Sequence, residues 1–149
     1  MTMKHPAIAS LVAGAALLLS ACGTAATADA PPATIIPVAG SDIPRLQLTP
    51  EAVQRVGIAT EPVRAASSRA ASTGAREVVP YSAVVYGTDG STWTFVNLAP
   101  RTYRREPITI TAISGDIALL SAGPPVGARV VTVGSEELLG TEYDISGEQ

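Results

Sequence analysis

The side chains that carry most protein chemistry are nearly missing from this chain. His5 is its single histidine, Cys22 its single cysteine, and Met1 and Met3 its two methionines. Soft-metal sites need thiolate, thioether or imidazole donors, and the positions of these four residues leave nothing to build one within the body of the chain. A histidine-dependent acid–base pair or a catalytic triad is excluded on the same ground. Ser82 and Ser135 lack the Gly-x-Ser-x-Gly elbow of an activated serine. Glu136 and Glu137 are adjacent, so in a strand they face opposite sides and cannot work as a couple. The remaining carboxylates show no calcium-loop spacing. Gly57, Gly90, Gly127 and Gly134 read as backbone punctuation, with no following helix at phosphate-loop spacing. The expectation is a protein with no cofactor, no metal and no enzymatic activity. One cysteine also leaves no intrachain disulfide. Arg101, Arg104 and Arg105 form the one basic cluster. They suit contact with an acidic partner surface or lipid headgroups, or else a solvated strand edge partly neutralised by Glu106.

Cys22 has a context of its own. Lys4 supplies a positive start, and Ala7–Ser20 is an uncharged apolar run, short for a membrane span and suited to an export signal. It ends in Leu19-Ser20-Ala21-Cys22-Gly23, which resembles the bacterial lipobox, where the cysteine is acylated and becomes the new N-terminus. Lipid-modified Cys22 implies a periplasmic protein anchored to a membrane, since each buried methylene contributes about 0.8 kcal/mol. Gly23 stands where inner-membrane lipoproteins of enteric bacteria carry Asp. By that resemblance the outer membrane is the default destination, with the inner membrane as the alternative. Losing Lys4 with the leader makes the balance one unit more negative than the formal −3 of the whole chain. A mildly acidic protein without a basic tail is not expected to bind nucleic acid.

The 149 residues include 13 Gly and 12 Pro and only 4% aromatics, which suits short strands better than long helices. Residues 1–21 are read as the leader. Residues 22–43, rich in Ala, Thr and Pro, are read as the lipidated cysteine and a disordered, flexible tether. The folded domain is placed at 44–145, with 146–149 as a tail. Arg45–Leu48 alternates as a half-buried strand. Thr49, Pro50 and Glu51 then start a short helix whose apolar face is Ala52, Val53 and Val56 and whose stop is Gly57. Ile58–Val63 reads as a strand closed by Pro62. Residues 64–76, with four Ser/Thr and no large apolar side chain, read as a loop rather than a weak exposed helix.

Short strands and turns follow. Val78–Pro80 leads into Ala83–Tyr86, Asp89-Gly90 signals a hairpin, and Thr92–Asn97 returns with Trp93 and Phe95 on one face. Those two aromatics are expected in the core rather than in a ligand groove. Tyr103–Thr111 and Ile117–Ser121 read as a second hairpin, Arg129–Val133 as a β-branched strand, and Leu138–Tyr143 as a short closing element. The expected fold is mainly β, a small antiparallel β-roll or barrel with one short helix. The strands on either side of that helix need a partner, so they are expected to pair with the C-terminal strands.

Pro80–Tyr86 with Gly90 and Trp93–Val96, then Tyr103–Ile110, Gly123–Gly134 and Glu137–Leu139, resemble one family. They are similar to the membrane-proximal region of periplasmic adaptor subunits (membrane fusion proteins) of resistance-nodulation-division efflux pumps. Leu48–Val63 resembles the N-terminal half of the same region, so the likeness covers about Leu46–Tyr143. In that family a β-barrel, a lipoyl-like domain and usually a helical hairpin separate the two halves. Here residues 64–76 stand in their place, and no heptad pattern occurs. The resemblance implies an adaptor reduced to its membrane-proximal module. Such a module would contribute to efflux through protein contact, with an inner-membrane pump or a complete adaptor as partner. The alternative is a stand-alone envelope lipoprotein that binds a small apolar ligand or stabilises the envelope.

Overall fold

The computed structural model describes residues 30–147. The leader, Cys22 and the first part of the tether lie outside the described residues.

The tether reading ends sooner than expected. Ala33–Val38 is a strand, β1, paired antiparallel with β2, Ser41–Leu48. Its Thr-Ile-Ile centre has the branched side chains that fit a pleated surface. Gly40, at φ 75°, makes the reversal between them. Helix α1, Pro50–Val56, follows the sequence reading closely. The Thr49 hydroxyl accepts from the Ala52 N–H at 3.1 Å, and Gly57 at φ 71° closes the helix with its N–H on the Val53 carbonyl.

Next come β3 (Ala59–Pro62), β4 (Arg64–Ala65), the single-turn α2 (Ser68–Ala71), β5 (Glu77–Pro80) and a 3₁₀ turn over Tyr81–Ala83. They are followed by β6 (Val85–Tyr86), β7 (Thr92–Ala99), β8 (Thr102–Pro107), β9 (Thr109–Ser114), β10 (Ile117–Ala122), β11 (Arg129–Val133) and α3 (Ser135–Gly147). A seven-stranded sheet runs β1-β2-β8-β7-β11-β3, with β6 also on β7, and a four-stranded sheet runs β4-β5-β10-β9. Every pairing is antiparallel.

This corrects the expectation of a closed roll or barrel with one helix. Among the described residues the fold is mixed α and β, with two open sheets and three helices. Closure is not needed because helices bury the face that a barrel would have turned inward. Leu46, Phe95, Tyr103 and Val131 pack there against Ala52 of α1 and Leu138 of α3. Between the two sheets lies a second core of Val79, Val96, Leu120 and Val130. A thin third layer of Ala75, Val78 and Leu119 lies on the other face of the smaller sheet, with Ala70 of α2 packed against it.

Two corners join the sheets. Tyr103–Thr111, read as one strand, breaks at Ile108 into β8 and β9, which belong to different sheets. Likewise β3 passes through Val63 into β4. Each corner has a proline, Pro107 or Pro62, followed by a buried branched residue. Proline ends the ladder because it has no N–H to donate. The corner residues are fully bonded: Val63 donates to Ala128 and accepts from Gly127, and Ile108 donates to Thr92 and accepts from the Thr92 hydroxyl. Buried backbone groups need such partners.

The closing element at the C-terminus is the 13-residue α3 rather than a short piece. Glu136 and Glu137 are therefore helical, not strand residues. They sit exposed in its first turn, where negative charge suits the helix dipole. Gly134 starts α3 at φ 89°. A Cβ there would lie 2.6 Å from Val56 Cγ1 and 3.0 Å from Ile58 Cγ1. Residues 64–76 are likewise not a plain loop. They form β4 and the one turn of α2, capped by the Ser67 hydroxyl on the Ala70 N–H.

The two segments that flank residues 64–76 do meet. Leu46 of β2 stands opposite Tyr103 of β8, and Thr60 of β3 stands opposite Val131 of β11.

Candidate functional site

The three arginines read as a cluster go to three places. Strand β8 is not an edge, since β2 and β7 flank it. Arg104 and Arg105 are neighbours along it and so point to opposite faces. Arg104 pairs with Glu106 at 3.0 Å on a partly exposed surface. Arg105 turns toward α3, where its Nε meets Glu142 Oε1 at 2.8 Å. Its guanidinium lies 4.4 Å from the centre of the Trp93 ring and 5.8 Å from that of Tyr143. Burial pushes the Glu142 carboxyl above its ordinary range, and Arg105 pulls the other way. Arg105 is thus a latch between sheet and helix, and Trp93 is half-buried beneath it. Phe95, two residues on, is fully buried in the first core.

Arg101 sits at the tip of the β7–β8 turn. It is exposed and holds φ 58°, the one non-glycine residue with positive φ among those described. Its carbonyl accepts from the Leu48 N–H at 3.0 Å, which fixes the turn against β2. A left-handed residue with a full side chain costs about 1 kcal/mol relative to glycine. Leu98, 41% exposed, lies three residues before it near the end of β7. Arg101 makes no ion pair among the described residues.

Ser82 and Ser135, set aside as nucleophiles, come together in a structural role: the Ser135 hydroxyl donates to the Ser82 carbonyl at 3.4 Å. The predicted Asp89-Gly90 turn forms as expected, with the Asp89 carboxylate bonded to the Ser91 N–H and hydroxyl. Those bonds hold the Asp89 carboxyl below its ordinary range. Among the described residues no three His, Cys, Asp or Glu side chains come together to hold a metal ion.

The feature that the sequence did not single out is a groove of about 620 Å³ on the outer face of the smaller sheet, partly roofed by residues 67–73. Its floor follows from register. Val78 of β5 stands opposite Leu119 of β10 on one side and Arg64 of β4 on the other. Residues directly opposite share a face. Ile117, two residues from Leu119, extends the same apolar floor. The groove stays open because its roof offers small residues, such as Ser67, Ala70 and Ser72, where a filled layer would need large ones. Arg69 of α2 supplies a second cation on the rim. Neither Arg64 nor Arg69 has an ion pair among the described residues. In the sequence, the Ser and Ala content of 64–76 hid this site, because two arginines five residues apart carry no period of their own.

No family model, curated protein or solved structure matches this chain.

Proposed function

We propose that this chain is a lipid-anchored periplasmic module that serves efflux through protein contact, without enzymatic chemistry of its own. It resembles the membrane-proximal part of an efflux-pump adaptor and would be held to a membrane through Cys22. The observation that supports this reading is the pairing of β2 with β8 and of β3 with β11. The two segments that carry the resemblance lie far apart in a full adaptor chain. Here they complete one sheet, so a module lacking the central domains has its own buried core.

Arg101 is the arginine of the three best suited to a partner, because Arg104 and Arg105 already hold carboxylates. An arginine at φ 58° is retained where glycine would be cheaper, which fits a side chain kept for contact. The test is crosslinking in intact cells with wild type, Cys22→Ser and Arg101→Gly. Wild type should carry lipid mass on Cys22 and be recovered bound to a multi-span inner-membrane transporter or a complete adaptor. Cys22→Ser should leave the membrane fraction or remain as precursor. Arg101→Gly should keep its fold and anchor while losing most of the crosslink. Wild type recovered without lipid on Cys22, or with no transport component bound, would refute the reading.

A further inference from the structure

We infer that the groove over the smaller sheet binds a single-chain anionic amphiphile: an alkyl chain ending in a carboxylate. The argument begins with what the groove presents. Its volume of about 620 Å³ lies within the range of small-ligand sites, roughly 300–1,000 Å³. Strands β5 and β10 beneath it are interior to the sheet, so their main-chain groups are spent in the ladders. A peptide strand could not add to that floor. Only side chains face the ligand, and those of Val78, Ile117 and Leu119 are apolar.

The polar groups decide the charge of the ligand. The Ser72 and Thr73 hydroxyls donate to the Arg69 and Ala70 carbonyls, each at 2.7 Å, so their hydrogens are already used. The Ser67 oxygen accepts from the Ala70 N–H. That leaves the Arg64 and Arg69 guanidiniums as the strong donors on the rim. Glu77, the nearest acid along β5, alternates onto the opposite face from Val78 and does not neutralise them. Two cations repel a cationic ligand and attract an anion, and guanidinium forks match a carboxylate. A small inorganic anion would leave the apolar floor uncovered. A neutral alkane would leave both cations unanswered. An alkyl carboxylate satisfies both, with its chain on Val78, Ile117 and Leu119 and its head between Arg64 and Arg69.

The test uses the full 149-residue chain carrying Cys22→Ser, which leaves every described residue in place. The probes are dodecanoate, dodecanol, dodecyltrimethylammonium and acetate, each titrated below its aggregation limit by calorimetry at pH 7.5. Dodecanoate should bind with one-to-one stoichiometry, at least tenfold tighter than dodecanol, with no saturation by acetate or the cationic analogue. Arg64→Gln with Arg69→Gln should weaken dodecanoate at least tenfold and bring it level with dodecanol. Both positions are exposed, so circular dichroism should match the parent chain. Ala70→Phe, which fills the groove from its roof over Val78 and Leu119 and keeps both arginines, should abolish binding of dodecanoate and dodecanol alike. The inference is overturned if dodecanoate does not saturate, if it binds no tighter than dodecanol, or if either variant binds like the parent. It is equally overturned if the chain binds vesicles of anionic phospholipid but not monomeric dodecanoate. The groove would then be a lipid-surface contact.

Discussion

Cutting the Arg105 latch should loosen α3 from the sheet, and the size of the effect can be worked out. The Arg105 and Glu142 side chains are 16% and 4% exposed and meet at 2.8 Å. Removing one partner of a fully buried ion pair costs about 3–5 kcal/mol. Arg105 is partly solvated and Glu142 can take up a proton, so about 2 kcal/mol is the reasonable figure here. Loss of the cation over Trp93 adds about 0.5–1 kcal/mol. Arg105→Met should therefore destabilise by about 3 kcal/mol. For a domain of this size that lowers the thermal midpoint by roughly 10 °C. Glu142→Gln keeps the shape and removes the charge. The double variant should lose less than the sum of the two single ones, leaving a coupling of about 1–2 kcal/mol.

The same pair has a pH signature. Burial, opposed by Arg105, raises the folded-state pKa of Glu142 above the ordinary range of a glutamate carboxyl. A raised pKa means that the folded state favours the protonated carboxyl. The associated stability is fully present below the unfolded value and is lost as pH rises through the folded one. Without Arg105 the opposing pull disappears, and the folded pKa climbs further. The deficit of Arg105→Met should therefore shrink between pH 7.5 and pH 5, while that of the double variant, which lacks the titrating carboxyl, should not shrink. Urea unfolding followed by fluorescence suits the measurement, because Trp93 is the only tryptophan and lies against Arg105. Additive single variants with the same deficit at both pH values would refute the latch.

Two further substitutions probe the core and its turns. Gly134→Ala must hold a side chain at φ 89° with its Cβ 2.6 Å from Val56, so it should cost about 2 kcal/mol or more by urea denaturation; a loss under about 0.5 kcal/mol would mean that α1 yields freely. The Thr94 hydroxyl oxygen is buried in the sheet without a hydrogen-bond partner among the described residues, and Thr94→Val should therefore stabilise by about 1 kcal/mol, read as a higher urea midpoint at unchanged slope.

Elements whose ends carry local chemistry were legible in the sequence. Thr49, Pro50 and Gly57 delimit α1 without help from the rest of the fold, and Asp89-Gly90 marks its hairpin in the same way. Alternation correctly placed Phe95 inward. The corners were not legible, because Val63 and Ile108 look like any residue of a continuous strand, and only the packing between the sheets makes them bend. Helix α3 was obscured by Gly140 and Thr141, poor helix formers in its middle. It is anchored by Leu138 and Glu142, one turn apart on the same face. The basic cluster misled for a simple reason. Closeness in sequence on a strand means opposite faces, so Arg104 and Arg105 could not share a surface. The groove was invisible because its floor comes from β5 and β10, whose register no local pattern reveals.

The excursion between β4 and β5 has one more consequence. Its ends are stitched together: Arg64 and Ala65 pair with Val78 and Glu77, and the Ala66 N–H donates to the Arg76 carbonyl at 2.8 Å. Chain leaves and re-enters the fold at adjacent points, and the larger sheet takes no part in what happens between them. Such a neck is a natural graft point. Lengthening a loop whose ends are already joined costs only about 0.6 kcal/mol per doubling. Whole domains could be spliced in or excised beyond Ala66 and before Arg76 while the two inner cores kept their packing. Two chains of very different length could then share the same scaffold and differ only in what hangs from its seam.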